Sequence, residues 1–558
     1  MKPHLQFTLP VLRPATTRSF DTRPAALDAW LAQLPVANLG ETCRQIFLAL
    51  YEVNRTQQPP QQRLAFLERL AMPLALVLPS LQRHYIGQPF PLPEKAQQIA
   101  RLAIDLQVEL VIGYRLVLEG VHHQPWYSSW GQAPRKMLAS HRMLHYLGGI
   151  LSDYQWQHLP YPRSVWRTVH RIFRHEGHAG RIRRPVPPLA GAGSSVNVLD
   201  EYKRVLLRAL VPLSRINTEQ WQAVGDHLDR WLALVEFDPT SVEYGFWVRL
   251  NSDSPPTELP VDFNRAIRGR GKHTVLNTRR LVQHLEQLLA GPDTALPSGL
   301  ERGTVETLRN VWSGARGRHG ERRQGRGQEV QVLIGLSTLY HALIGGSAAR
   351  EHAAGKEIRP PSLQSGAKPT QPSDMQPSVA RVIDYSENGY GLSLPAATAH
   401  PIQEGDILGL RSGPAQPWEI GYVCWLRAVE GEPLALGVQH LAVEALPVAV
   451  LVGREGSRST PLGCLLGSTA TGETALFMPH LPDIEHKSLY LGYRGHAIPV
   501  TLRERVDGSN GFSAFLFDTP TQDEQAGLAA QEAWRQQADA PVAAATEAER
   551  YGQIWHTL

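Results

Sequence analysis

The stretch RVIDYSENGYGLSLP, residues 381 to 395, decides how this chain is read. Tyr390, Leu392 and Leu394 alternate with Gly391 and Ser393, the period of a strand with one buried face. Asn388-Gly389 before them is a two-residue hairpin signal, because both positions tolerate positive φ. The same six positions also hold a carboxylate, a hydroxyl and a glycine: Asp384, Ser386 and Gly389. They form either a tight turn or the floor of a binding site.

Downstream, GYVCWLRAVEGEPLALGVQHL reads as two strands around Gly431-Glu432-Pro433, and short strands divided by Gly and Pro predict a small barrel. A further series, VAVLVG, LGCLLGS, TALFMP, SLYLGYRG, AIPVTLRERV and FSAFLFD, predicts a second β unit over residues 446–520. The Ala-, Gln- and Glu-rich residues 521–558 read as a loosely ordered helical tail. Upstream, VQVLIGL supplies a strand at about 330 to 336, and residues 346–377, crowded with Pro, Ser, Gln and Ala, read as a flexible insertion into the barrel.

Just before that strand stands SGARGRHGERRQGRGQEV, where Arg316, Arg318, Arg322, Arg323 and Arg326 have Glu321 as the only acid among them. Gly-Arg alternation does not hold a helix, so these guanidiniums sit on an adaptable segment. Arg322-x-x-x-Arg326, then a strand, then Asp384-x-Ser386-x-x-Gly389 resembles the paired signature of PilZ domains, bacterial receptors for cyclic di-GMP. EGDILGLRSG, GYVCWLR and LALGVQHL are similar to the family's later strands, so the resemblance covers about residues 320–445. Arg318-x-x-x-Arg322 satisfies the same arginine spacing; the pair nearest the strand is preferred. The resemblance implies a small antiparallel barrel, cyclic di-GMP as the ligand, and Arg322, Arg326, Asp384, Ser386 and Gly389 as its site. The chemistry agrees: arginine addresses both phosphate and the O6 and N7 of guanine, and a carboxylate accepts from guanine N–H groups.

Residues 1–300 read as all-helical. Leu27, Trp30, Leu31 and Leu34 form one stripe, Val165, Trp166, Val169, Ile172 and Phe173 a second, and Trp221, Val224, Leu228, Trp231, Leu232 and Val235 a third, which Asn217-Thr218-Glu219-Gln220 opens with a capping pattern. The expected class is therefore multidomain α+β: the helical region, an Arg/Gly-rich junction at 301–328, a PilZ-like barrel at 329–445 containing the insertion, the second β unit and the tail.

A length of 558 residues calls for two to four domains, and 42% apolar with 19% charged residues allows each a core. A net charge of +4 over that length argues against a dedicated nucleic-acid binder. Cys43, Cys424 and Cys464 are too scattered for a disulfide framework or zinc knuckle, and the first residues have no apolar run for a signal peptide, so a cytoplasmic address is expected. His141, His145, His170, His175 and His178 lack the acids or cysteines to complete a metal site. No Walker lysine, G-x-S-x-G elbow or dinucleotide fingerprint appears, so the expected function is binding, with no catalytic residues, cofactor or metal. By family association the process is motility, surface attachment or type IV pilus control, through a protein partner. Two alternatives remain: a degenerate PilZ scaffold that binds proteins and no nucleotide, and an RNA- or DNA-associated protein using the second basic cluster, Arg265, Arg268, Arg270, Lys272, Arg279 and Arg280.

Overall fold

The computed structural model describes residues 7–518 apart from 16–19, 123–131, 190–195, 212–215, 217, 239–243, 260–272, 293–295, 315–322, 326, 354–375, 387, 396–400, 415, 429–431, 453–461, 470–471, 482–483, 485–487, 494–495 and 510. The chain falls into two compact units, the first mainly of residues up to Arg322 and the second mainly of residues from Arg323.

Among the described residues the first unit begins with nine helices: α1 (Pro24–Ala32), α2 (Leu39–Asn54), α3 (Pro60–Arg69), α4 (Ala71–Gln82), α5 (Glu94–His122), α6 (Gln132–Trp156), α7 (Val165–His178), α8 (Val198–Leu210) and α9 (Thr218–Trp231). α5 is the hub. Ala100, Ala103, Leu106, Leu110, Tyr114, Val117 and Val121 recur along it every three or four residues, and all are buried. At Gly113 a Cβ would lie 2.9 Å from Asn54 Oδ1 and from Leu67, so α2 and α3 can press against α5 only because that side chain is absent. The predicted stripes on α7 and α9 face this core.

A sheet that periodicity did not announce follows: β1 (Glu236–Phe237), β2 (Gly245–Arg249), β3 (Thr257–Glu258) and β4 (His273–Asn277), antiparallel in the order β1-β4-β2-β3. Its strands have two to five residues, too short for alternation to register above the surrounding helical pattern. Helices α10 (Arg279–Ala290) and α11 (Arg302–Trp312) complete the unit. No single described helix is long and apolar enough to cross a bilayer.

Buried polar groups lock α6 in place. Arg142 is fully buried and donates to Glu68 Oε2 at 2.9 Å and to the Pro187 carbonyl at 3.0 Å. Asp153 accepts from Tyr85 Oη at 2.7 Å, Gln82 at 2.9 Å and Gln107 at 2.6 Å. Burial pushes the Asp153 carboxyl up to about 6 against the pull of those donors. Because its folded value lies above the unfolded one, Asp153 favours folding at low pH, and that contribution is lost as pH rises through about 6. We therefore expect the wild-type stability, measured by urea unfolding relative to Asp153→Asn, to rise by about 2 kcal/mol as pH falls from 7 to 4. An unchanged difference would show that the carboxyl titrates alike folded and unfolded.

The second unit is built from β5 (Arg323–Gln324), β6 (Glu329–Ile334), α12 (Leu336–Ala353), β7 (Ser378–Ser386), β8 (Gly389–Leu394), β9 (Ile407–Arg411), β10 (Glu419–Arg427), β11 (Leu434–Val452), β12 (Leu462–Thr469), β13 (Thr474–Met478), β14 (Ser488–Tyr493), β15 (His496–Gly508) and β16 (Ser513–Asp518). Neighbouring strands run β6-β7-β8-β11-β10-β9 and return to β6, closing a six-stranded barrel. They then run β11-β12-β13-β16-β15-β14 and return to β11, closing another. In chain order both barrels connect first, second, third, sixth, fifth, fourth, so the second repeats the topology of the first. Both use β11, which crosses residue 445 without a break in the strand; its register shift between Val443 and Leu446 marks where it passes from one barrel to the next.

Several strands are buried on both faces. Leu476 and Met478 of β13 fill the second barrel, while Ala475 and Phe477 join Ile420 and Tyr422 of the first barrel and Leu339 and Tyr340 of α12. Helix α12 corrects one expectation: the stretch read as flexible from residue 346 begins inside this helix, which runs to Ala353. Leu336, Leu339, Tyr340 and Leu343 give it a buried stripe that the composition of the later residues concealed. The rest of the predicted insertion, 354–375, lies outside the described residues.

Candidate functional site

β7 and β8 form the hairpin of the quoted stretch, with Ser386 opposite Gly389, Tyr385 opposite Tyr390 and Asp384 opposite Gly391. The two loop positions are thus 387 and 388, one earlier than the Asn388-Gly389 turn read from the sequence. The reason lies in the neighbouring strand. A Cβ on Gly389 would fall inside the contact radius of the Val438 carbonyl oxygen of β11, so this glycine is set by the close approach of a backbone. The His440 N–H donates to the Asn388 carbonyl at 2.9 Å and ties the loop to the same strand.

A second irregularity sets the face. The register shifts between Val382 and Asp384, leaving Ile383 as an extra residue on β7. Before it, Ala380 and Val382 point into the barrel; beyond it the Asp384 carboxylate lies over Gly391, which leaves room for it by having no side chain. Tyr390, between the two glycines, points the other way, into a pocket at the barrel end with Val330, Leu410 and Glu419. Asp384, Ser386, Gly389 and Gly391 therefore share the outer face. Inside, the Tyr390 hydroxyl donates to Glu419 Oε2 at 3.4 Å, and His440 Nε2 lies 3.5 Å from the same oxygen. Burial, then Glu419, raises the Tyr390 pKa and keeps the phenol neutral.

β5 brings the arginine-rich segment to this hairpin. Gln324 pairs with Asp384 and Arg323 with Tyr385, antiparallel, on the edge of β7 that β6 occupies further along. The Gly325 N–H donates to the Ile383 carbonyl at 2.7 Å. Arg322 and Arg326 lie outside the described residues, as does Arg318; Arg322 and Arg326 are the chain neighbours on either side of the anchored run 323–325. Gln324 had no signal in the sequence: only the pairing sets it opposite Asp384.

The second barrel provides an internal comparison. Beyond the register shift in β11, Val443 pairs with Ser468 and Ala442 with Thr469. Ser468 closes the β12–β13 hairpin opposite Thr474, on the face of Leu466 and Leu476 that lines the barrel, and β11 contains no arginine. The repeat keeps the fold without the charged groups.

Of the histidines singled out earlier, His170 is structural. His170 is buried with Nδ1 2.8 Å from the Tyr202 hydroxyl and Nε2 3.0 Å from the Ser254 carbonyl, and burial lowers its pKa. No cluster of three metal-ligating side chains occurs among the described residues. In the second basic cluster, Arg280 pairs with Glu236 at 3.0 Å, and Arg265, Arg268, Arg270 and Lys272 lie outside the described residues.

Comparison with known proteins bears on the domains of the chain. Residues 25–240 match a family described as the N-terminal domain of the cyclic-di-GMP receptor FimW, and residues 347–447 match its middle PilZ domain. The second match begins after β6, leaving the arginine segment outside it. The cyclic-di-GMP receptor FimW of Pseudomonas aeruginosa is 24% identical over an alignment of 574 positions that covers 92% of this chain and 93% of that protein. No solved structure matches. Two domains of one receptor are thus matched in order, and the chain carries a PilZ domain at residues 347–447 within a sequence that resembles a cyclic-di-GMP receptor over more than nine-tenths of its length.

Proposed function

We propose that this protein is an effector that binds cyclic di-GMP on the outer face of the first barrel, through Arg322, Arg326, Asp384, Ser386 and Gly389. The observation that carries this reading is the pairing of β5 with β7, which anchors the arginine-flanked run directly beside the strand that bears Asp384 and Ser386. It also favours Arg322 and Arg326 over Arg318 and Arg322, since only the former bracket the anchored residues. Asp384 accepts from guanine N–H groups, Ser386 bonds base or phosphate, and the guanidiniums take phosphates and guanine acceptor edges. Gly389 acts through the barrel, by letting β11 close over the hairpin. The second barrel, whose first strand β11 carries no arginine, takes no nucleotide. The signal passes to a protein partner by way of the helical unit, and the work is done in the cytoplasm by binding alone.

Calorimetric titration tests this. The parent is expected to bind cyclic di-GMP at micromolar affinity or tighter, about −8 kcal/mol or better. Arg322→Ala, Arg326→Ala and Asp384→Ala should each weaken binding at least about tenfold, the worth of one charge-assisted hydrogen bond. Ligand should also slow hydrogen exchange over residues 315–330 and 381–392. Full binding by the Asp384→Ala protein would place the site elsewhere.

A further inference from the structure

The stretch RSVWRTVHRIFRHEGHAGRIRR, residues 163 to 184, contains seven arginines and one acid, a larger imbalance than the +4 of the whole chain. The acid does not offset it at the surface: Glu176 is fully buried, where it accepts from Arg181 at 2.9 Å and from Ser140 at 3.0 Å. Arg163, Arg167 and Arg171 are exposed and follow one another at four-residue intervals, with exposed His175 and His178 continuing the row on α7 and Arg183 and Arg184 just beyond it. Arg163 precedes the helix; at 100° per residue Arg167, Arg171, His175 and His178 fall within roughly a quarter of the circumference of α7, and Arg167 and Arg171 stand about 6 Å apart along its axis. Among the described residues, none of Arg163, Arg167 and Arg171 has an ion-pair partner. Arg174 is held by Asn251, and Asp253 spends its carboxylate on the helix start, accepting from the Ser164 N–H at 2.6 Å and the Arg167 N–H at 3.0 Å. Like charges at i and i+4 disfavour a helix, so the row is kept against a local cost.

We propose that this face of α7 is a docking surface for an acidic polypeptide segment of a partner protein, with about one carboxylate per helical turn. On α7 the row is one side chain wide, which suits a single extended or helical chain. A lipid surface would call for apolar side chains beside the charges, but Val165, Trp166, Val169 and Ile172 are all buried. Single strands call for exposed aromatic platforms, and the row has none.

The test uses the full-length protein and labelled poly-L-glutamate as probe, with a 20-base-pair DNA duplex and anionic phosphatidylserine vesicles as competitors. The parent should bind poly-L-glutamate more tightly than either competitor, with affinity falling steeply with salt. The combined variant Arg163→Gln, Arg167→Gln, Arg171→Gln should lose at least about tenfold in that affinity at low salt while binding cyclic di-GMP as before. Its melting temperature should stay the same or rise, since like-charge pairs have been removed. Equal poly-L-glutamate binding by parent and variant, no binding by the parent at low salt, tighter binding of the duplex or vesicles, or a lowered melting temperature would each overturn the proposal.

Discussion

Gly389→Ala is expected to destabilise the second unit by about 3 kcal/mol and to abolish nucleotide binding with it. Its φ is not in the left-handed region, so backbone strain has no part in this. The cause is steric: the new methyl group must displace the Val438 carbonyl, and that carbonyl belongs to a strand fixed by pairing in two barrels. A flexible side chain could swing aside; a barrel backbone cannot. Asp384→Ala provides the contrast, because its carboxylate lies over Gly391 on the outer face and losing it opens no core cavity. Denaturant melts of the two variants should therefore separate, Gly389→Ala moving the midpoint and Asp384→Ala leaving it in place, while both lose the ligand. If Gly389→Ala melts like the parent and only binding suffers, the glycine serves the ligand directly and the closure argument fails.

Arg142→Ala should cost the helical unit about 3 kcal/mol, the lower end of the penalty for removing one partner of a buried ion pair, because Glu68 keeps some contact with water. Three losses coincide. Glu68 is left without its guanidinium, the carbonyls of Pro187 and Pro188 lose their donor, and a fully buried side chain leaves a cavity within the core around α6. Tyr114 also donates to Glu68 at 2.7 Å, so the damage should spread to α5. Urea unfolding followed by hydrogen exchange would locate the effect, with amides of α3, α5 and α6 losing protection first. A change below about 1 kcal/mol would mean that water repairs the site and that the pair adds little.

The sequence was most informative where chemistry is carried by residue type in a short window. Asp384, Ser386 and Gly389 lie within six positions, and the arginines within a dozen, so the resemblance and the ligand class could be named from them. Strand alternation was equally visible in β8, where Tyr390, Leu392 and Leu394 face inward. Helix α12 escaped because a polar, proline-rich stretch follows it and sets the local composition, although its four apolar residues at helical spacing were there to be found. The four-stranded sheet escaped because strands of two to five residues carry too few alternations.

The sequence alone determined the class of fold, the order of helical and β regions, and which side chains carry charge suited to a cyclic dinucleotide. Tertiary structure decided which of those side chains share a face. The shift at Ile383 turns Asp384 outward over Gly391, and a one-residue slip reverses the face of every following side chain, which no local pattern encodes. Tertiary structure also decided that Gly389 answers to β11, nearly fifty residues away in the chain, and that a single strand joins two barrels of one topology. Those outcomes depend on pairing between segments far apart in sequence, whose register is fixed by closing the barrel as a whole.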